Sequence, residues 1–192
     1  MTEITRSRKT AAALLRSVSR GRRLDVAFQA QASRLSPRDR RFVQEVVYGT
    51  VRFRGRLDYL LDLHLHKGLA SVSGEVLDLL RLGAYQLLHL DGVPAYAAMN
   101  QTVAQVRGVA GEGGSRLANG VLRSLDREGG EIARFPDFHR DPEAHLSTWG
   151  SHPAWLVRRW LKRWSPEEVG RLVERNNQVP PLFLRPLGMG TE

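Results

Sequence analysis

The sequence has no cysteine, only three lysines, and no apolar run near the roughly 18 residues that span a bilayer. Missing thiols exclude a disulfide framework, a thiolate zinc site, an iron–sulfur cluster and a cysteine nucleophile. They also suit a reducing, cytoplasmic setting. The opening MTEITRSRKT is charged with no apolar stretch behind it, so it does not read as a secretory signal. No internal repeat and no low-complexity segment is present. What remains is a chain of 192 residues, 42% hydrophobic, able to bury about 70% of its unfolded surface without staples.

What the chain has in excess is arginine, which makes up 26 of its 29 basic residues. Residues 1–60 carry 14 Lys/Arg against 5 Asp/Glu, whereas residues 61–192 carry 15 of each. The whole net charge of +9 therefore sits in the first third. GC-rich coding favours arginine over lysine, but it does not cluster it. Arginine presents a planar fork of donors that grips phosphate bidentately and stacks on bases. A basic, arginine-dense first third points to a polyanion, and to nucleic acid above others.

Apolar spacing is helical almost throughout. Ala11, Leu14, Leu15 and Val18 mark a first helix that Gly21 can end, and Leu24 to Leu35 a second. Ser36-Pro37-Arg38-Asp39 is a start signal: a capping serine, proline at the first helical position, an acid in the first turn. Phe42 to Thr50 continue that helix, Leu57 to Leu61 resume after Gly55, Val76 to Leu87 form another, and Pro94 opens one running through Val106. Gly49 and Gly55 mark either close packing or a break. Gly108–Gly114 reads as a flexible loop before a helix over Leu117–Leu125. Residues 129–150 lack period and read as a linker. Two short helices follow, one with Trp155 and Trp160 and one starting at Ser165. Leu182 to Arg185, after Pro180-Pro181, reads as a lone strand.

The conventional catalytic patterns fail. The glycine loop follows a helix and has Ser115-Arg116 where a phosphate loop needs Lys-Ser/Thr. His64 and His66 diverge by about 200° on a helix and have no third ligand at metal-site spacing. Asp58 and Asp62 share a helix face, which reads as solvated surface. The basic groups survive better: Arg6, Arg8 and Lys9 before the first apolar helix, Arg22 and Arg23 after it, and Arg38, Arg40 and Arg41 at the third helix start. Arginine at a helix N-terminus opposes the macrodipole, so the last three are not there for helix stability.

Four phrases in order, RSRKTAAALLRSV, LSPRDRRFVQEVVYGTVR, LLRLGAYQLLHLDGVPAYAAMNQTV and LANGVLRSL, resemble the helical RNA-binding domain of the antitermination factor NusB. They are similar above all to the NusB-like domain of bacterial small-subunit ribosomal RNA cytosine-5 methyltransferases. SHPAWLVRRW and NNQVPPLFLR resemble the passage from that domain into the methyltransferase part. The resemblance implies an all-α NusB-like bundle over 1–130, a linker over 131–150 and, over 151–192, the incomplete start of the methyltransferase N-terminal subdomain. It implies ribosomal RNA as partner, contacted by Arg6, Arg8 and Lys9, or else a second protein of an antitermination or ribosome-assembly complex. It implies S-adenosylmethionine for the full-length enzymes, but no cofactor and no catalytic residue can be carried onto this chain, which is expected to be inactive alone and reads as a gene fragment. Asn100 and Asn119 are expected to satisfy buried backbone, and Trp155 and Trp160 to pack on the preceding domain or, less simply, to stack on bases.

Overall fold

In the computed structural model, residues 3–131, 134–181 and 183 are described. Arg6–Ser19 forms α1, with Ala11, Leu14 and Leu15 buried. It ends at Gly21, whose φ of +89° suits a residue without Cβ. Leu24–Ala32 is α2 and Pro37–Arg52 is α3. The Ser36 hydroxyl accepts the Asp39 N–H at 3.1 Å, so the start signal operates as read. These helices close one core around Phe28, Val43, Val46 and Val47, with Leu82 entering from α5 (Gly74–His89).

A larger core lies between α4 (Arg54–Asp62), α5 and α6 (Ala95–Glu128), with a 3-10 turn at Leu69–Ser71 linking α4 to α5. The break before α4 falls at Phe53, and Gly55 lies inside the helix. Gly49 does serve close packing, because a Cβ there would fall inside the Tyr85 ring. The expected loop over Gly108–Gly114 is a difference. Helix continues on both sides, and only Gly111 departs, with φ 64° and ψ −160°. Core residues Val106 and Ala118 lie on either side of it and hold both halves down.

The expected linker stretch also contains structure. Pro142–Thr148 is α7, capped by the Asp141 carboxylate, which accepts the Ala144 N–H at 2.9 Å. Ala154–Leu161 is α8 and Pro166–Asn177 is α9, and Leu146, Val157, Val169 and Val173 form their common core. Trp160 joins that core, whereas Trp155 is 63% exposed and packs on nothing in it. Of the strand expected over 182–185, residues 182, 184 and 185 lie outside the described set. The described residues form nine α-helices and no strand, an all-α architecture. Among them no helix is long and apolar enough to cross a membrane.

One polar feature lies inside the bundle. Arg81, its side chain 6% exposed, donates to both oxygens of Asp58 at 2.6 and 2.9 Å and to Asp78 at 2.8 Å. Burial alone pushes its pKa down, but the two carboxylates outweigh that and hold it up. Asp58 is therefore a structural partner and not the solvated surface its spacing suggests. Asp62 instead accepts the Leu69 N–H at 2.8 Å and fastens the 3-10 turn.

Candidate nucleic-acid interface

The chain ahead of α1 is fixed by one buried amide on α6. Gln101 donates to the Glu3 carbonyl at 2.7 Å and accepts the Thr5 N–H at 2.9 Å. Arg6, Arg8 and Lys9 therefore occupy the first turn of α1, not a free arm. That turn holds no acid, so three cations sit where the helix dipole is positive. Such an arrangement costs stability locally and favours an anion nearby.

The three differ in environment. Arg6 and Lys9 are exposed and have no ion-pair partner among the described residues. Arg8 is half-buried: its guanidinium lies over the Phe42 ring at 5.2 Å, and its Nε donates to Gln86 at 2.9 Å. Burial lowers its pKa, and no carboxylate among the described residues offsets the cost. Arg38 and Arg41 are exposed, one turn apart at the start of α3. Arg40 turns toward α2, over the Phe28 ring at 5.3 Å and near Gln29 at 3.4 Å.

Arg8 and Arg38 line one cleft of about 470 Å³, together with Ser7, Asp39, Phe42, Gly92, Val93, Pro94 and Ala97. Lys9 lines a neighbouring cleft of about 600 Å³ with Thr10, Ala13, Gln31 and Arg34. Arg8 and Arg38 thus share one cleft, Lys9 shares the other with Arg34 of the α2–α3 connection, and Arg6, Arg40 and Arg41 line neither. Arg34 belongs with them, and only its position in that connection could have signalled it. Arg22 and Arg23 do not meet them. They sit past the other end of α1, about 20 Å along the helix at 1.5 Å per residue, and Arg23 is paired to Asp25 at 2.7 Å. Of the 14 basic residues in 1–60, only Arg16, Arg23 and Arg54 have a carboxylate within ion-pair reach among the described residues.

One expectation changes here. Asn100 is exposed; it is the neighbouring Gln101 that binds backbone, at Glu3 and Thr5. The Val93–Pro94 turn walls the first cleft. As for metal, His66 is exposed and His64 lies 4.0 Å from Glu128; among the described residues no group of three ligands forms.

Comparison with known proteins decides the family. A model described as the NusB family matches residues 5–127. The chain belongs to the NusB family. A second model, the ferredoxin-like domain of RsmF/B-like methyltransferases, matches residues 152–185. The probable ribosomal RNA small subunit methyltransferase B of Bacillus subtilis is 37% identical over 79% of this chain and 33% of its own length. The ribosomal RNA small subunit methyltransferase B of Pseudomonas putida is 34% identical over 93% of this chain and 39% of its own. That of Sodalis glossinidius is 32% identical, over 91% and 38%. The chain thus spans a third to two fifths of the length of these relatives. Its NusB match contains both clefts and every basic residue singled out above.

Proposed function

We propose that this NusB-family chain is an RNA-binding module that holds ribosomal RNA in place for a cytosine-5 methyltransferase. The observation that supports this best is that Arg8 and Lys9 at the α1 start and Arg38 at the α3 start line two clefts with no carboxylate in ion-pair reach among the described residues. Phosphate contacts of this kind fix register and orientation and carry little sequence information. The relatives are ribosomal RNA methyltransferases by name, which supplies the class of RNA. S-adenosylmethionine is the methyl donor that such chemistry uses, but the residues of this chain do not fit it. The glycine run that would have to cradle it lies within α6, follows no strand among the described residues, and has the Ser115 hydroxyl turned to the Glu112 carbonyl at 3.0 Å. No step of methyl transfer is assigned to its side chains.

The test compares charge clusters at matched salt. Replacing Arg6 and Lys9 by alanine removes two exposed cations, with stability effects within about 0.5 kcal/mol each. RNA affinity should drop, and the slope of log K against log salt should fall by about 1.4 to 1.8, at 0.7 to 0.9 per phosphate contact. Replacing Arg38 and Arg41 should do the same. Replacing Arg159 and Arg163, in the charge-neutral part, should do less. Equal losses from all three pairs would mean diffuse attraction with no defined site. No loss from any would favour the other reading, a protein-interaction module of an antitermination or ribosome-assembly complex.

A further inference from the structure

The cleft between α1, α3 and the α5–α6 turn has more in it than a phosphate needs. Its volume of about 470 Å³ lies within the range of about 300–1,000 Å³ typical of small-ligand clefts. One side is formed by Arg8 lying over Phe42, a cation stacked on an aromatic face. The other is formed by the uncharged Val93, Pro94 and Ala97. Arg38 stands at the same cleft with its side chain exposed and no carboxylate in ion-pair reach among the described residues, and Asp39, which also lines the cleft, has its carboxylate hydrogen-bonded by the Ser36 hydroxyl at 2.8 Å. Among the described residues Arg8 spends only its Nε on protein, at Gln86, and its two terminal nitrogens have no partner there. A planar, partly apolar slot with guanidinium groups matches a base joined to a phosphate.

From this geometry, and resting on the RNA-binding reading above, we propose that the cleft seats one unstacked nucleotide of a single-stranded RNA segment. The base stacks against the Arg8–Phe42 pair and packs on the Val93–Pro94 turn, and Arg38 takes a flanking phosphate. Unpaired bases stack on aromatic and guanidinium planes, whereas the bases of an A-form duplex are locked in their own stack and cannot enter a slot. The module is thereby a reader of unpaired RNA, and its duplex binding is electrostatic only.

The experiment fills the slot and leaves every arginine in place. Gly92→Leu adds a side chain at the cleft where a Cβ meets nothing within 4 Å, so the fold tolerates it. Ala97→Phe does the same from the first turn of α6. Binding of a fluorescent twenty-nucleotide single strand and of a blunt ten-base-pair duplex of about the same number of phosphates is followed by anisotropy across a salt series. Each plug should weaken the single strand roughly tenfold, as loss of one stacked base does, leave the duplex unchanged, and lower the salt slope by less than about one. Plugged variants with wild-type affinity for the single strand would overturn the slot. Equal weakening of strand and duplex would do so as well. A wild-type protein that binds neither RNA would instead defeat the RNA-binding reading itself, a result separable from failure of the slot alone.

Discussion

Arg81 and His89 show how single side chains set the stability of this bundle. Arg81 answers two carboxylates from inside the fold. Arg81→Met would leave Asp78 without its cation and Asp58 with only Arg54, at 3.9 Å, and breaking a buried pair in this way costs about 3 to 5 kcal/mol. Urea unfolding should register a loss of that size; a loss under about 1 kcal/mol would mean that water already screens the group. His89 is the converse case. It stacks on Phe53 at 4.9 Å and meets Tyr85 at a tilt at 5.0 Å, with its Nε2 buried and without a hydrogen bond among the described residues. Burial first, then the charge of Arg56, lowers its pKa to about 4, against a smaller pull upward from Glu45. The unfolded chain, titrating near 6.5, therefore binds this proton before the native state does. Stability should rise with pH between about 4 and 6.5 and be level above, the His89 contribution reaching about 3 kcal/mol at 1.36 kcal/mol per pH unit. Urea midpoints measured from pH 7 to 4.5 should show this slope, and His89→Gln should flatten it.

At the scale of elements, Gly111 is the position where sequence and structure part most instructively. Its φ of 64° with ψ −160° lies in a region open essentially to glycine. No atom lies within 4 Å of a Cβ built there, so Gly111→Ala tests conformation alone. It should cost about 1 to 3 kcal/mol, read as a lower melting temperature, while Gly113→Ala, at a helical position with open space, should stabilise by about 0.4 to 1 kcal/mol. Equal effects at both would show that the break does not matter. The glycine run reads as a loop in the sequence because helix propensity is local, whereas Val106 and Ala118 hold the two halves through tertiary contact. Helix α7 was hidden for a related reason: seven residues are too few to display a period, and its only signal was Asp141-Pro142 as cap and first position. Long amphipathic helices and the Ser36 cap were legible because each needs only neighbours in sequence. So was the basic first third. Which arginines would gather was not, since Arg8 meets Arg38 only through tertiary packing and Arg22 is carried away by the length of α1.

For the molecule as a whole, the question is whether the bundle and the α7–α9 unit move together. Their joint is built from α4 and the turn after α7. The Arg56 guanidinium lies between the rings of Phe53 and Trp149, at 4.6 and 4.9 Å, and its Nε donates to the Trp149 carbonyl at 2.7 Å. Burial lowers its pKa to about 10, so it stays charged at neutral pH. Phe53 cannot cap α4 with its side chain, and Ser151 does so from the far unit: its hydroxyl accepts the Gly55 N–H at 2.8 Å. A Cβ at Gly55 would stand 3.2 Å from the Ser147 carbonyl and the Ser151 Cα, which leaves no room for sliding. Removing Arg56 by alanine forfeits two cation–π contacts and a charged hydrogen bond, together about 2 to 3 kcal/mol. That energy belongs to docking and not to the bundle core. Amide exchange within α7–α9 should therefore accelerate about 30- to 100-fold, at tenfold per 1.4 kcal/mol, while α3 and α5 keep their protection. Arg56→Lys, which keeps the charge and loses the planar fork, should fall between. Uniform acceleration through the chain would mean that α7–α9 and the bundle unfold as one unit. Selective acceleration would mean that Arg56 holds α7–α9 against the bundle and that the two can separate without global unfolding.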